Sequence, residues 1–189
     1  MASLTNLDER LFFLINKTMT YGFVDFFAVV ILHKHLVFGL LVLIGGLCFL
    51  KGNPNTKKVL FVTALALVLA DLAAYLLKGF FMRPRPCEVL SGIRVIVECA
   101  NSFSFPSRQT TDTWAFALVL ALSFRKYAPA FIALAVLTMW SRVYAGEHYP
   151  SDVLAGALLG ASVALVALFL KRVFDAKKKS INEAGGILD

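Results

Sequence analysis

Apolar residues run in long blocks along this chain, and polar residues are confined to short connections and to the two ends. The clearest blocks are His35 to Leu50, Val59 to Phe81, Thr113 to Phe124, Ala128 to Gly146 and Ser151 to Leu170. Counting flanks, each approaches the ~20 residues that a helix needs to cross hydrocarbon. The start is less regular. LDERLFFLINKTM reads as an amphipathic segment, with residues 1–20 lying in a membrane interface. YGFVDFFAVVIL is apolar but short. Either Arg10 to Leu32 makes one broken span, or the second piece crosses alone, tilted or through thin bilayer. The pattern predicts an all-α, polytopic membrane helix bundle of six transmembrane spans, folded as a single domain over residues 1–189.

Composition agrees. The chain is 59% hydrophobic and 16% charged, with a mean hydropathy of +0.75, too apolar for an ordinary soluble domain. Acidic residues precede the first apolar stretch and no small-residue cleavage pattern follows it, so no cleavable signal peptide is expected. The net charge of +7 matters through its placement. KGNPNTKK, FRKYAP and the tail KRVFDAKKKS fall on one side if spans alternate, and the positive-inside rule makes that side cytoplasmic. The tail, 173–189, reads as a solvated, partly frayed helix end near anionic lipid. No basic and aromatic stripe marks a soluble module, so nucleic acid is not an expected partner.

The opposite side holds the loop 82–107 and the stretch SRVYAGEHYPSD. These carry Arg83, Arg85, Arg94, Arg108 and Arg142, against the charge rule. Binding a phosphate is the simplest reason. Three clusters meet there. Lys78 ends one span, and Arg85 follows in the loop before Pro86. Ser107 opens the next span. Ser141 and Arg142 close another, and His148 and Asp152 begin the last. At four residues' separation, Asp152 can hold one imidazole nitrogen of His148 and leave the other to attack. Cations around such a nucleophile would stabilise a phosphoryl group in transit, and His148 would form a phosphohistidine that water hydrolyses. No His and carboxylate set with ligand spacing occurs on this side, so no metal or other cofactor is expected.

These clusters resemble the signature of the type 2 phosphatidic acid phosphatase family, membrane lipid phosphatases related to vanadium haloperoxidases. The family's first motif, Lys, six residues, Arg-Pro, appears as Lys78, Arg85 and Pro86. Its last, Ser-Arg, five residues, His, three residues, Asp, appears as Ser141, Arg142, His148 and Asp152. The resemblance covers roughly Val59 to Leu170. It implies six helical spans with the site at the extracytoplasmic face and the C-terminus in the cytoplasm. It also implies Lys78, Arg85, Ser107 and Arg142 as phosphate binders, His148 as nucleophile and Asp152 as its partner. The implied substrates are a phospholipid, an isoprenoid phosphate or a glycolipid phosphate taken from the membrane.

The middle motif departs. Where the family has Pro-Ser-Gly-His, this chain has Pro106, Ser107, Arg108 and Gln109. The family's His is assigned as general acid to the leaving group, and Gln109 delivers no proton near neutral pH. Three readings stay open. The substrate has a good leaving group, such as a polyprenyl pyrophosphate or a lipid A-type 1-phosphate, with phosphatidylglycerol phosphate and phosphatidic acid behind them. The change disables the chain. Or the chain is a lipid-binding or transport relic. Phosphotransfer to a second lipid is the alternative enzyme class.

Arg108 is either a further phosphate cation or a headgroup contact. Glu147 is either a substitute acid or a loop carboxylate. Asp71, seven residues before Lys78, reads as part of a polar support network, and Asp112 as a helix cap. Trp114, Tyr144 and Tyr149 read as interface anchors. Cys48 sits in an apolar block, read as packing, and Cys87 and Cys99 share the outer loop as a disulfide candidate.

Overall fold

The computed structural model describes residues 2–18, 22–32, 46 and 50–185. Apart from Gly46 and Leu50, the span expected over His35 to Leu50 lies outside the described residues, as does Cys48, and the six-span count goes with it. Every regular element described is helical: α1 (Ala2–Thr18), α2 (Gly22–Leu32), α3 (Pro54–Phe81), the single turn α4 (Pro86–Val89), α5 (Arg108–Ser123), a 3₁₀ turn (Arg125–Tyr127), α6 (Ala128–Tyr144) and α7 (Pro150–Gly185). The expected segment Arg10 to Leu32 is thus two helices, α1 and α2. The tail expected to fray continues α7 as helix to Gly185.

Local signals set the ends. Asn53 caps α3 by accepting from Thr56 N at 2.8 Å, and Pro54 follows as the first helical residue. Met82 stops α3 in the left-handed region, with φ of 44°. Pro129 sits in the first turn of α6 and Pro150 opens α7.

Helices α3, α5, α6 and α7 form the bundle, with α5 against the other three. Small residues let them close. Ala66, Ala70 and Ala74 on α3, and Ala115 and Ala117 on α5, are fully buried. On α7, a Cβ at Gly156 would lie 2.7 Å from Ser107 O, and one at Gly160 would overlap the carbonyl oxygen of Thr111. Bare glycine backbone at this four-residue spacing brings α5 and α7 together, as small residues do between membrane helices. The close approach seats Ser107 N on Asp152 O at 3.0 Å. Gly160→Ala is expected to push α5 from α7 and cost at least the ~1–3 kcal/mol of an overpacked core, read as a lower melting temperature in detergent.

Outward faces carry large apolar side chains, among them Phe61, Val68, Tyr75 and Phe80 on α3 and Leu158 and Phe169 on α7. The helices beginning at Pro54 and Pro150 are long and apolar enough to cross a membrane. Lipid is the solvent that such faces require.

The two ends of the bundle differ. At one end Lys58 of α3 pairs with Asp175 of α7 at 2.7 Å. At the other lie the 82–107 loop and the α6–α7 turn. A disulfide joins Cys87 to Cys99 across that loop, with Cα atoms 6.1 Å apart. Gly146, with φ of 86°, turns the chain from α6 toward His148, and a Cβ there would stand 2.6 Å from Arg94 O. Helix α1 lies along this same end. Its buried stripe is Asp8, Phe12 and Asn16. Phe12 packs with Val143, Tyr149 and Val153, and Asn16 donates to Arg94 O and Tyr144 O, both at 2.8 Å. From α2, Asp25 pairs with Arg94 at 2.8 Å.

Candidate active site

Four chain segments converge at the loop end of the bundle. The end of α3 brings Lys78, the loop brings Arg83, Arg85 and Ser104, the start of α5 brings Ser107, and the α6–α7 turn brings Arg142, Glu147, His148 and Asp152. All but Arg83 are under a tenth exposed. Burying this much charge requires that each group find a partner.

His148 is held on both nitrogens. Arg85 Nη1 lies 3.2 Å from Nε2. A guanidinium can only donate, so Nε2 carries the lone pair and Nδ1 the proton. Nδ1 lies 3.3 Å from Ser104 Oγ and 3.6 Å from Asp152 Oδ2. Ser104 Oγ donates to that same Oδ2 at 2.5 Å, and Tyr149 N donates to it at 2.8 Å. The expected His148–Asp152 pairing is therefore in place, with Ser104 wedged beside it. Burial pushes the imidazole down to about 4; Asp152 opposes this, and the cation of Arg85 adds to it. Burial thus favours the neutral ring.

That shift has a measurable sign. A histidine whose folded value lies below its ordinary 6.5 favours folding least when protonated, so stability is lost as pH falls from about 6.5 through about 4. In a ¹⁵N-histidine sample, with His148 assigned by its loss in His148→Asn, the ring is expected to stay neutral down to about pH 5. A midpoint near 6.5 would contradict the buried geometry.

The cations are arranged around this ring. Lys78 Nζ donates to the carbonyl oxygens of Phe103 and Ser104. Arg85 donates from Nε to Ser102 O at 2.6 Å and from Nη1 to Glu147 O at 3.2 Å. Burial lowers its pKa, while Glu147, Glu88 and Asp152 oppose that. Arg142 donates from Nη1 to Glu147 Oε2 at 2.6 Å. Its Nε and Nη2 are buried with no hydrogen-bond partner among the described residues. Two unpaired donors on one buried guanidinium are costly, and an anion bound there would satisfy both. Glu147 lies in the α6–α7 turn but is not an exposed loop carboxylate, and its charge is paired. It is buried against Arg142, with Oε1 4.0 Å from Arg85 Nη1.

Ser107 caps α5 by position, and its Oγ accepts from Thr110 Oγ1 at 3.0 Å. The two variant residues sit beside it. Arg108 pairs with Asp71 of α3, and the pair is exposed rather than facing the bundle interior. Gln109 is half-buried, and its side chain makes no hydrogen bond among the described residues. Asp112 lies a turn inside α5 rather than at its cap, with Oδ1 buried and without a hydrogen-bond partner among the described residues. Tyr144 and Tyr149 are buried, not interface anchors: Trp140 stacks on Tyr144, and Phe12 and Arg83 cover Tyr149. A cavity of about 310 Å³, lined by Met82, Pro84, Glu88, Asn101, Ser102 and Phe103, opens next to Arg85.

Residues 58–175 match the PAP2 superfamily. The chain belongs to that superfamily. Among solved structures, that of Aquifex aeolicus LpxE superposes with a TM-score of 0.74 at 28% identity, covering 86% of this chain and 94% of LpxE. A lipid A 1-phosphatase from Rhizobium johnstonii is 48% identical over 63 residues, 33% of this chain and 26% of that protein. Undecaprenyl-diphosphatase BcrC of Bacillus subtilis is 30% identical over 122 residues, 65% of this chain and 61% of BcrC. The chain thus spans about a quarter of the first relative and three-fifths of the second. Arg83, Ser104 and Asp8 join this cluster through hydrogen bonds, although the sequence did not single them out as site residues. Arg83 was visible as a cation on the wrong side for its charge. Ser104 and Asp8 carry no local signal.

Proposed function

We propose that this chain is a membrane phosphatase that removes a phosphate from a lipid through a phosphohistidine. The observation that carries this is the unpaired half of the buried Arg142 guanidinium, beside a histidine whose Nε2 lone pair is already fixed. The phosphoryl group would enter between Arg142, Lys78 and Arg85, with Arg85 exchanging its contact on Nε2 for a phosphate oxygen. Ser107 would complete the cradle. Nε2 attacks phosphorus, the P–O bond to the leaving group breaks, and Asp152 with Ser104 stabilises the Nδ1–H of the charged ring. Water then attacks phosphorus, the P–N bond breaks, and His148 is restored. The cations supply the charge stabilisation, so the proposed steps call on no metal ion.

The favoured substrates are lipids whose phosphate departs from a good leaving group: a polyprenyl diphosphate or a glycolipid 1-phosphate. Gln109 supports this, since it offers the leaving oxygen no proton. BcrC, an undecaprenyl-diphosphatase, and the Rhizobium lipid A 1-phosphatase act on lipids of these two kinds. Substrate would arrive sideways from the leaflet, with its headgroup passing the cavity beside Arg85. The proposed placement has α3, α5, α6 and α7 crossing the bilayer as part of one domain, 1–189. The 82–107 loop is extracytoplasmic, residues 1–20 lie in the interface with Leu7, Leu11 and Leu14 toward lipid, and the basic tail from 173 is cytoplasmic.

The test is a phosphate-release panel on the full chain in detergent: polyprenyl diphosphate, lipid A 1-phosphate, phosphatidylglycerol phosphate and phosphatidic acid. Release from the first two is expected. Silence on all four, by this chain and by Gln109→His alike, would overturn the phosphatase reading. Silence cured by Gln109→His would instead favour the second reading, a disabled lipid-binding variant.

A further inference from the structure

Asp152 has more holders than a histidine partner needs. Its Oδ2 faces His148 and accepts from Ser104 Oγ and Tyr149 N. Its Oδ1 accepts from Arg83 Nη1 at 2.7 Å. The same Nη1 reaches Ser151 Oγ at 2.7 Å, while Nη2 donates to Asp8 Oδ2 at 2.7 Å. Asp8 in turn accepts from Ser151 N at 2.9 Å and from Ser151 Oγ at 2.5 Å. The guanidinium carbon of Arg83 stands 3.9 Å over the Tyr149 ring. Arg83 therefore lies forked between two carboxylates, one from the N-terminal helix and one from the candidate site, with an aromatic floor beneath it.

We infer that Asp8 and Arg83 are positioning residues that aim Asp152, and through it His148, so that α1 is a working strut of the active site. This rests on the phosphatase reading above. The chemistry is directional. A carboxylate bonded on one oxygen only can rotate about its Cβ–Cγ bond. Holding Oδ1 on Arg83 while Ser104 and Tyr149 N hold Oδ2 fixes the plane of the group and the approach of Oδ2 to Nδ1. Arg83 alone would be free to slide toward solvent, being a quarter exposed. Asp8 prevents this, because its two oxygens are themselves pinned to Ser151, the residue next to Asp152. Phe12 and Asn16, one and two turns on, anchor the same face of α1 to the α6–α7 turn and to the loop. Helix α1 would then both rest on lipid and hold the catalytic pair in register.

The experiment uses the full chain in detergent, with Asp8→Asn, Arg83→Gln and Arg83→Lys, each alone and in an Asp152→Asn background. With a polyprenyl diphosphate, Asp8→Asn and Arg83→Gln are expected to lower kcat about 10- to 100-fold, the cost of a misplaced reacting group, and to move KM by less than about twofold. Arg83→Lys recovers only part, since an ammonium cannot fork between two carboxylates. In Asp152→Asn the same changes alter kcat less than about twofold, because coupled residues do not add. Equal losses in both backgrounds, tracking a fall in melting temperature, would mark a purely structural strut and overturn the inference. If Arg83→Gln does not fold, the Asp8→Asn cycle decides alone. A substrate-free readout separates this inference from the function it rests on. The His148 ring nitrogens should shift from a single Nδ1–H tautomer toward a mixture in Asp8→Asn. If no lipid is turned over, the phosphatase reading falls, and unchanged His148 shifts would independently sink the positioning role.

Discussion

His148→Asn is expected to abolish phosphate release, by about 10⁴-fold or more, as removal of a nucleophile does, while leaving the affinity for a lipid phosphate within a few-fold. The asymmetry follows from the geometry. In the proposed cradle Lys78, Arg85 and Arg142 would hold the phosphate whether or not a ring nitrogen attacks it. Asn has the size to leave Ser104, Asp152 and Arg85 near their places but no nucleophilic nitrogen lone pair to offer phosphorus. The loss should therefore fall on kcat. Chemical quenching in base, where a phosphoramidate survives, should trap a phosphorylated peptide containing His148 from the unaltered chain and none from the variant. Turnover retained by His148→Asn, or label on another residue, would assign the attack elsewhere.

The second large effect is a gain. Gln109→His should raise hydrolysis of phosphatidic acid, a poor leaving group, by about 10²–10⁴-fold, the usual worth of a general acid. A polyprenyl diphosphate should change by less than about tenfold, because its leaving phosphate needs little protonation. Gln109 sits in the first turn of α5, two residues from the buried Ser107, and its side chain makes no hydrogen bond among the described residues. An imidazole there displaces no hydrogen bond among the described residues. The pattern across substrates carries the meaning. A selective gain on alkyl monophosphates supports a chain specialised for activated phosphates. An equal gain on all lipids marks a chain disabled at this position. No gain on any would remove Gln109 from the leaving-group side of the reaction.

Much of this was legible because membrane helices and motif spacings are local. The helices α3, α5, α6 and α7 follow from apolar blocks with Asn53, Met82, Pro129 and Pro150 at their ends, since a helix satisfies its backbone hydrogen bonds within its own segment. Lys78, Arg85, Arg142, His148 and Asp152 could be picked out as one cluster because they lie at helix ends. A cluster of charges at the ends of apolar blocks is conspicuous in one dimension. The pairing of Cys87 with Cys99 was likewise suggested by their sharing a short loop.

Other residues changed meaning only in three dimensions. Glu147 and Arg108 could be told apart from free acid and phosphate cation only by their partners, Arg142 and Asp71, which lie on other turns or other helices. Asp8 and Ser104 lie far along the chain from Asp152, and nothing in their local pattern separates them from an interfacial carboxylate and a loop hydroxyl. Hydropathy and charge asymmetry are sums over neighbours, so the chain's own order of residues already marks a helical membrane protein with a cationic, histidine-bearing face. It took the packed bundle to settle which atoms hold His148 and which donors remain open, because hydrogen bonds are made over about 3 Å between groups whose separation in sequence carries no information about their separation in space.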